Sequence, residues 1–407
     1  MKILFVHQNL PGQFKHLAPA LASDPRNEVV FLTQPGKPDI PGVKKVEYRP
    51  HRKAADSTHR YLRLTEEGVI NGQAVAKAAM ALRDRSGFTP DVIVAHMGWG
   101  EALYLKTVYP RAKLLGYFEW YYRAFGSDVD FDPEHPPTLD DVCRIRTRNA
   151  LHLMNLQAAD WGVTPTNWQL KQHPREYQQR IEVIHDGVDT EKVAPNPEAT
   201  FELPEGKVLS AGDEVITYVA RNLEPYRGFP TFMRAAELIL KRRPAAHLIV
   251  VGGDGVSYGR KCEGAKSYRE YFTSRLDLDA ERIHFLGKVP YSKYLRILQI
   301  SGAHVYLTVP FVLSWSMLES MAAGCLVIGS KTPPVQEVIK HEKNGLLVDF
   351  FDHNTLAERV DEVFVDPNRL QHLRDAARRT ILQRYDLQRC LKKQVQLIRR
   401  IAGDGRK

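Results

Sequence analysis

The strongest constraint in this sequence is an alternation that occurs twice. Ile3–Val6, Val29–Leu32, Val92–Ala95, Lys113–Tyr117 and Ile181–Ile184 are short apolar runs that read as buried strands. Between them, Phe14–Ala22, Arg60–Arg85, Glu101–Val108 and Val142–Ala158 space their apolar residues as helices do. A strand that is apolar throughout must be covered on both faces, and helical crossovers between parallel strands supply that cover. Residues 186–214 interrupt the pattern with Gly187, Pro195, Pro197, Pro204, Gly206 and Gly212. A second alternation then begins. Its strands are Val215–Ala220, His247–Val251, Ile283–Leu286, His304–Val309 and Leu326–Gly329. Its helices are Thr231–Arg242, Tyr291–Gln299, Met317–Ala323 and Val335–Lys340.

The expectation is an α/β chain of two Rossmann-like domains, residues 1–190 and 215–385. Residues 191–214 read as the linker. Residues 386–407 read as a basic helix able to pack back on the first domain. In open parallel sheets, ligands sit beyond the carboxyl ends of the strands. Two such sheets facing each other across an interdomain cleft would place the main site in that cleft.

The net charge is +9, from 57 basic and 48 acidic side chains, which invites a nucleic-acid or membrane partner. Its distribution narrows the choice. Residues 368–407 hold twelve basic and three acidic side chains, so the rest of the chain is neutral. Leu387, Leu391, Val395, Ile398 and Ala402 recur there at helical spacing, with Arg389, Lys392, Lys393, Arg399 and Arg400 around them. That is an amphipathic helix with a basic side. It reads as a last helix packed on the body or as a contact with an anionic membrane. No nucleic-acid reader motif accompanies the charge, so a nucleic-acid partner is not expected. The four cysteines are scattered, without a CxxC pair, which argues against a zinc module and for a reducing cytoplasm. No apolar stretch is long enough to span a bilayer.

Three segments could carry chemistry. His7-Gln8-Asn9-Leu10-Pro11-Gly12-Gln13-Phe14 follows the first strand, and Gly12 would let a phosphate approach the backbone; a plain turn is the alternative. Arg221 ends a strand and Arg227 follows beside Gly228, so two guanidiniums could clamp a diphosphate, or could be ordinary surface arginines. The densest segment is Val309 to Cys325. A helix is expected from near Ser316, with Glu319 in its first turn and Ser314, Trp315 and Ser316 offering backbone N–H groups to an anion. Glu319 could hold a ribose diol or merely cap its helix.

These residues resemble those of the family 4 glycosyltransferases, with the two-Rossmann-domain architecture called GT-B. Arg221 and Arg227 match the family's Arg-then-Lys pair. Gly252-Gly253-Asp254-Gly255 matches its glycine-rich turn. Phe285-Leu286-Gly287-Lys288-Val289 matches the strand–turn that meets the nucleobase. Ser316 to Gly324 matches the helix whose glutamate holds the ribose, Asn344-Gly345-Leu346-Leu347-Val348 the strand after it, and His185 to Asp189 the linker start. The resemblance implies a retaining transfer of a sugar from a nucleotide-sugar donor to a glycan, lipid-linked or small-molecule acceptor. It implies Arg221 and Arg227 on the diphosphate, and Gly12, Gly253, Lys288, Val289, Phe311, Ser314, Trp315, Ser316 and Glu319 around the donor. It implies no cofactor. No metal is expected, since the two arginines can neutralise the diphosphate.

Three departures stand out. Phe311 occupies a position where the family often has a glutamate for the donor sugar, and a phenyl ring cannot accept sugar hydroxyls. Arg227 replaces a lysine. Glu119 stands where a histidine is common. It reads either as an orienting group for the sugar or as a structural carboxylate paired with Arg123. Trp120-Tyr121-Tyr122 suits stacking on a sugar or a place in the core. His96 reads as an acceptor-side base or a structural histidine. The competing functions are a nonenzymatic nucleotide-sugar-binding or regulatory protein and an epimerase of the same fold. The expected location is cytoplasmic, with peripheral attachment to the inner face of the membrane as its extension.

Overall fold

The computed structural model describes residues 1–403; Asp404, Arg406 and Lys407 of the basic tail lie outside the described residues. The chain divides into two units. One comprises Met1–Gly187 and the segment from Gln388 onward, the other Val188–Leu387.

The first unit is built on one parallel sheet. Its strands are β1 (Lys2–Val6), β2 (Glu28–Thr33), β3 (Val43–Glu47), β4 (Val92–His96), β5 (Lys113–Tyr117), β6 (Trp161–Thr164) and β7 (Ile181–Val183). Their order is β3-β2-β1-β4-β5-β6-β7. Every pairing is parallel, with Phe5 between Phe31 and Val94. Leu4, Val6 and Ile93 point into one core, and Ile3, Phe5 and Val94 into the other. This explains why β1 and β4 read as unbroken apolar runs. The order reverses at β1 and β4, so their carboxyl ends open a crevice.

Two strands escape the hydrophobic pattern. β3 (Val-Lys-Lys-Val-Glu) is an edge strand whose exposed charges discourage further pairing. β6 has only four residues, one of them glycine. The expected helix at 142–158 is two, Leu139–Arg148 and Ala150–Ala158. Asn149 sits at the break because its side-chain amide bonds both the N–H and the C=O of Tyr122. The basic helix Leu387–Ile401, all but its first residue in this unit, buries Leu397 and Ile398 in the core that holds Ile3 and Phe5.

The second unit begins with an antiparallel hairpin, β8 (Thr200–Glu202) and β9 (Val208–Ser210). Residues 191–214 are therefore not a free linker. Phe201, Leu203 and Leu209 are buried with Val215, Ile249 and Ile297. Three-residue strands are too short to show a periodicity, and their turns supply the glycines and prolines. A parallel sheet follows: β10 (Val215–Asn222), β11 (His247–Gly253), β12 (Ile283–Gly287), β13 (Ala303–Tyr306), β14 (Leu326–Ser330) and β15 (Leu346–Val348). Its order is β12-β11-β10-β13-β14-β15, the doubly wound arrangement again. The chain enters and leaves this unit side by side, through a bridge between Val188 and Asp386 and the Thr190 hydroxyl donating to Asp386. Among the described residues, no helix is long and apolar enough to cross a membrane. All four cysteines are free thiols.

Candidate functional site

In the first unit, polar side chains gather at the carboxyl ends of β1, β4 and β5. His96 ends β4, and His7 follows β1 directly. Each accepts at Nδ1 a backbone N–H from two residues further on, His7 from Asn9 at 2.8 Å and His96 from Gly98 at 3.0 Å. Each hydrogen is therefore on Nε2. His7 Nε2 donates to Gln13 Oε1 at 2.7 Å. The Gln13 amide nitrogen then faces Glu119, donating to Oε1 at 3.1 Å. His96 Nε2 lies 3.3 Å from Glu119 Oε2, close enough for electrostatic attraction though not aligned as a hydrogen bond. Trp99 stacks on His96, with ring centroids 4.1 Å apart.

Both histidines are 2% exposed, whereas the Glu119 side chain keeps 31%. Burial pushes the Glu119 carboxyl up, but the polar contacts from His96 and Gln13 outweigh it and hold the group below its usual range. Burial, with His96 alongside, lowers His7 to about 3, so it is neutral.

Of the two readings of Glu119, the structure does not show the pairing with Arg123: its carboxylate meets His96 and Gln13, and its backbone C=O accepts from Gln169. Trp120 is 4% exposed, and Tyr121 and Tyr122 pack on His152 and His173. Trp120 is thus core, Tyr121 and Tyr122 are half-buried, and Trp99 is the half-buried ring against His7 and His96. Gly12 has φ +53°, and a Cβ there would lie 2.6 Å from His7 Nε2, so the histidine ring already demands glycine. The residues that sequence reasoning passed over are His7 and Gln13. Their signal was available, since both lie in the loop after the first strand.

In the second unit, Arg221 and Asn222 end β10, and Gly253 ends β11. A Cβ on Gly253 would meet Asn222 Oδ1 and Lys288 Cε, each at 2.8 Å, so these three residues share one corner. Arg221 and Lys288 are exposed there, and Val289 is half-buried against the core. Arg227 is firmly held. Its Nη1 donates to Thr308 Oγ1 at 2.7 Å, Val312 O at 3.1 Å and Tyr306 O–H at 3.4 Å. Phe311 is buried, with ring centroids 5.8 Å from Tyr226 and 5.0 Å from Tyr258. Its ring belongs to the wall around Arg227. Glu224, 1% exposed, accepts the N–H groups of Ser257 and Tyr258 and so fixes the loop after the glycine turn. Burial raises its carboxyl despite those bonds and the nearby Arg227 and Arg221.

The helix of the third segment runs Trp315–Ala322, with Ser314 as its N-cap. Glu319 is therefore past the first turn, and Ser314, not Glu319, caps the helix. Ser314 N–H donates to Tyr306 O–H, and its Oγ accepts from Ser316 N–H. Ser316 is buried and Trp315 exposed. Both Glu319 oxygens accept tyrosine hydroxyls, from Tyr291 and Tyr294, each at 2.7 Å. Two of a carboxylate's four acceptor positions remain for another partner.

Comparison with known proteins agrees with this layout. A model described as "Glycosyl transferase family 4 group" matches residues 25–193, and one described as "Glycosyl transferases group 1" matches residues 201–380. The GDP-mannose-dependent alpha-(1-6)-phosphatidylinositol monomannoside mannosyltransferase of Mycobacterium tuberculosis is 27% identical over 193 residues, 46% of this chain and 48% of that protein. The D-inositol 3-phosphate glycosyltransferase of Corynebacterium urealyticum is 27% identical over 46% of this chain and 43% of its own. The match thus spans about half the length of these curated relatives. Among solved structures, sucrose-phosphate synthase from Thermosynechococcus elongatus shares the fold, with a TM-score of 0.74, 18% identity and 99% of both chains covered. So does Anabaena Alr3699/HepE in complex with UDP-glucose, with a TM-score of 0.66, 16% identity and 98% and 99% of the chains covered.

Proposed function

Since this chain belongs to the family 4 glycosyltransferases of group 1, we propose that it moves a hexose from a nucleotide-sugar donor to a hydroxyl-bearing acceptor, with retention of anomeric configuration. The observation that carries the reading is the set Arg221, Arg227, Lys288, Ser314 and Glu319, all borne at or beyond the carboxyl ends of the second unit's strands. Arg221 and Arg227 take the diphosphate. As the bond to the anomeric carbon breaks, negative charge grows on that diphosphate, and a guanidinium already fixed by Thr308 and Val312 meets it without reorganising. Such preorganised donors are typically worth about 100- to 1,000-fold in turnover each. The positive end of the Ser314-capped helix dipole adds to the same stabilisation. Glu319 takes the ribose hydroxyls on the acceptor positions that Tyr291 and Tyr294 leave open. The departing phosphate receives the acceptor's proton, so no protein nucleophile takes part. Two guanidiniums neutralise the diphosphate, so the scheme calls for no metal or cofactor.

On the first unit, Glu119 with His96 and Trp99 receives the acceptor, a glycan, a lipid-linked sugar or a small polyol. The named relatives act on phosphatidylinositol mannoside and inositol phosphate acceptors. A lipid-linked acceptor suits peripheral attachment to an anionic membrane through the basic side of the last helix, where Arg389, Lys392, Lys393 and Arg400 are exposed.

The test is a thermal-shift panel of UDP-, GDP-, ADP- and TDP-sugars, followed by product analysis with the stabilising donor. One nucleotide should raise the melting temperature, and Arg221→Ala and Arg227→Ala should abolish transfer. If no nucleotide sugar stabilises, hydrolyses or transfers, the reading fails.

A further inference from the structure

We propose that Gln13 is a positioning residue, whose side-chain amide, oriented by His7, holds the Glu119 carboxylate fixed as an acceptor for a hydroxyl group of the substrate bound to the first unit. The proposal rests on the glycosyl-transfer reading above.

The direction of each hydrogen bond follows from the backbone outward. Asn9 N–H occupies His7 Nδ1, so His7 can only donate from Nε2. That donation claims Gln13 Oε1, so Gln13 can only present its NH2 to Glu119. On the other side, Gly98 N–H occupies His96 Nδ1, so its Nε2–H edge faces Glu119 Oε2. Glu119 Oε1 thus accepts from a donor whose sense is set by main chain, while Oε2 faces the His96 Nε2–H edge at 3.3 Å without an aligned hydrogen bond, and none of these groups has to rotate. The histidines are buried, and Glu119 is the member that keeps substantial exposure. A substrate reaches the network through that carboxylate.

The same arrangement selects the role. A carboxylate already supplied with donors is a weak base, so it orients a hydroxyl rather than removing its proton. Its open lone pairs accept from O–H groups, whereas a phosphate or carboxylate ligand would be repelled. The part of the ligand that meets Glu119 is therefore an uncharged, hydroxyl-bearing ring face, with the half-buried Trp99 near it. Gln13 cannot be replaced by glutamate without placing two carboxylates in contact, which then share a proton.

The experiment is Gln13→Glu, with Gln13→Leu beside it. The Kd of the stabilising nucleotide should stay at the wild-type value, because the nucleotide binds the second unit. The KM for the acceptor should rise, and the acidic limb of kcat/KM for Gln13→Glu should move up by about one pH unit or more. Gln13→Leu, which loses the donor without adding a charge, should shift the limb less. A Gln13→Glu profile and acceptor KM that overlay the wild type overturn the proposal. If wild-type protein transfers from no donor, it is the functional reading that fails. Glu119 is then titrated by carboxyl 13C NMR, with Glu119→Gln to assign its signal. A higher Glu119 pKa in Gln13→Glu supports the positioning role, and an unchanged one overturns it.

Discussion

Lowering the pH should dismantle the first unit before the second. Four histidines of the first unit, His7, His152, His173 and His185, are at most 8% exposed. Burial holds His7 and His152 down to about 3 and His173 and His185 to about 4, from an ordinary value of 6.5. In the second unit His304, fully buried, is held at about 3, and His247 and His284 are also lowered by burial. Below pH 6.5 the unfolded chain binds protons that the folded chain refuses. Stability is therefore complete above pH 6.5 and falls as the pH is lowered toward the folded values. At pH 5 the gap from 6.5 is about 1.5 units, or about 2 kcal/mol for each strongly lowered histidine. Four such groups cost the first unit about 8 kcal/mol, comparable with the whole stability of an ordinary domain. Glu119 acts in the same direction only below its ordinary value of 4.5, so it deepens the loss at lower pH. The assay is urea denaturation at pH 7.5, 6 and 5, with hydrogen exchange read segment by segment. Protection of β1, β4 and β5 should collapse between pH 6 and 5 while β10 and β11 stay protected. Stability that is flat from pH 7.5 to 5, or earlier loss of the second unit, would refute the reasoning.

Two substitutions probe separate features. Gly12→Ala should cost about 1–2 kcal/mol from its positive φ alone, and more from the Cβ that meets the His7 ring. Urea denaturation of wild-type strength with an unchanged acceptor KM would show that the loop does not depend on glycine there. Neutralising Arg399 and Arg400 to glutamine breaks partly exposed pairs with Asp24 and Glu182, so the melting temperature should barely move. Binding to vesicles containing phosphatidylserine should weaken roughly thirtyfold, at about 1 kcal/mol per charge; unchanged sedimentation removes the membrane role of this helix.

Most of the fold was legible because the buried strands β1, β2, β4, β5, β10 and β11 are apolar on both faces, and that pattern survives in a linear sequence. The charged edge strand β3, the four-residue β6 and the hairpin β8–β9 were not, because short or one-sided strands leave too few alternations. The donor-side residues were legible through the order of their motifs. Glu319 was placed in the first turn of its helix and stands just beyond it, since Ser314 as N-cap sets the helix start one residue earlier, at Trp315. Phe311 was legible as a departure, but not as part of the aromatic wall made with Tyr226 and Tyr258.

The sequence by itself determined two doubly wound sheets and a last helix carrying the excess charge, because burial and helical spacing are properties of neighbours along the chain. Only the tertiary structure decided the state of Glu119. Its donor arrives from 106 residues away at Gln13, and its second polar neighbour from the next strand over at His96. Their sense is set by backbone N–H groups at Asn9 and Gly98, and the direction of a hydrogen bond depends on which groups meet in space.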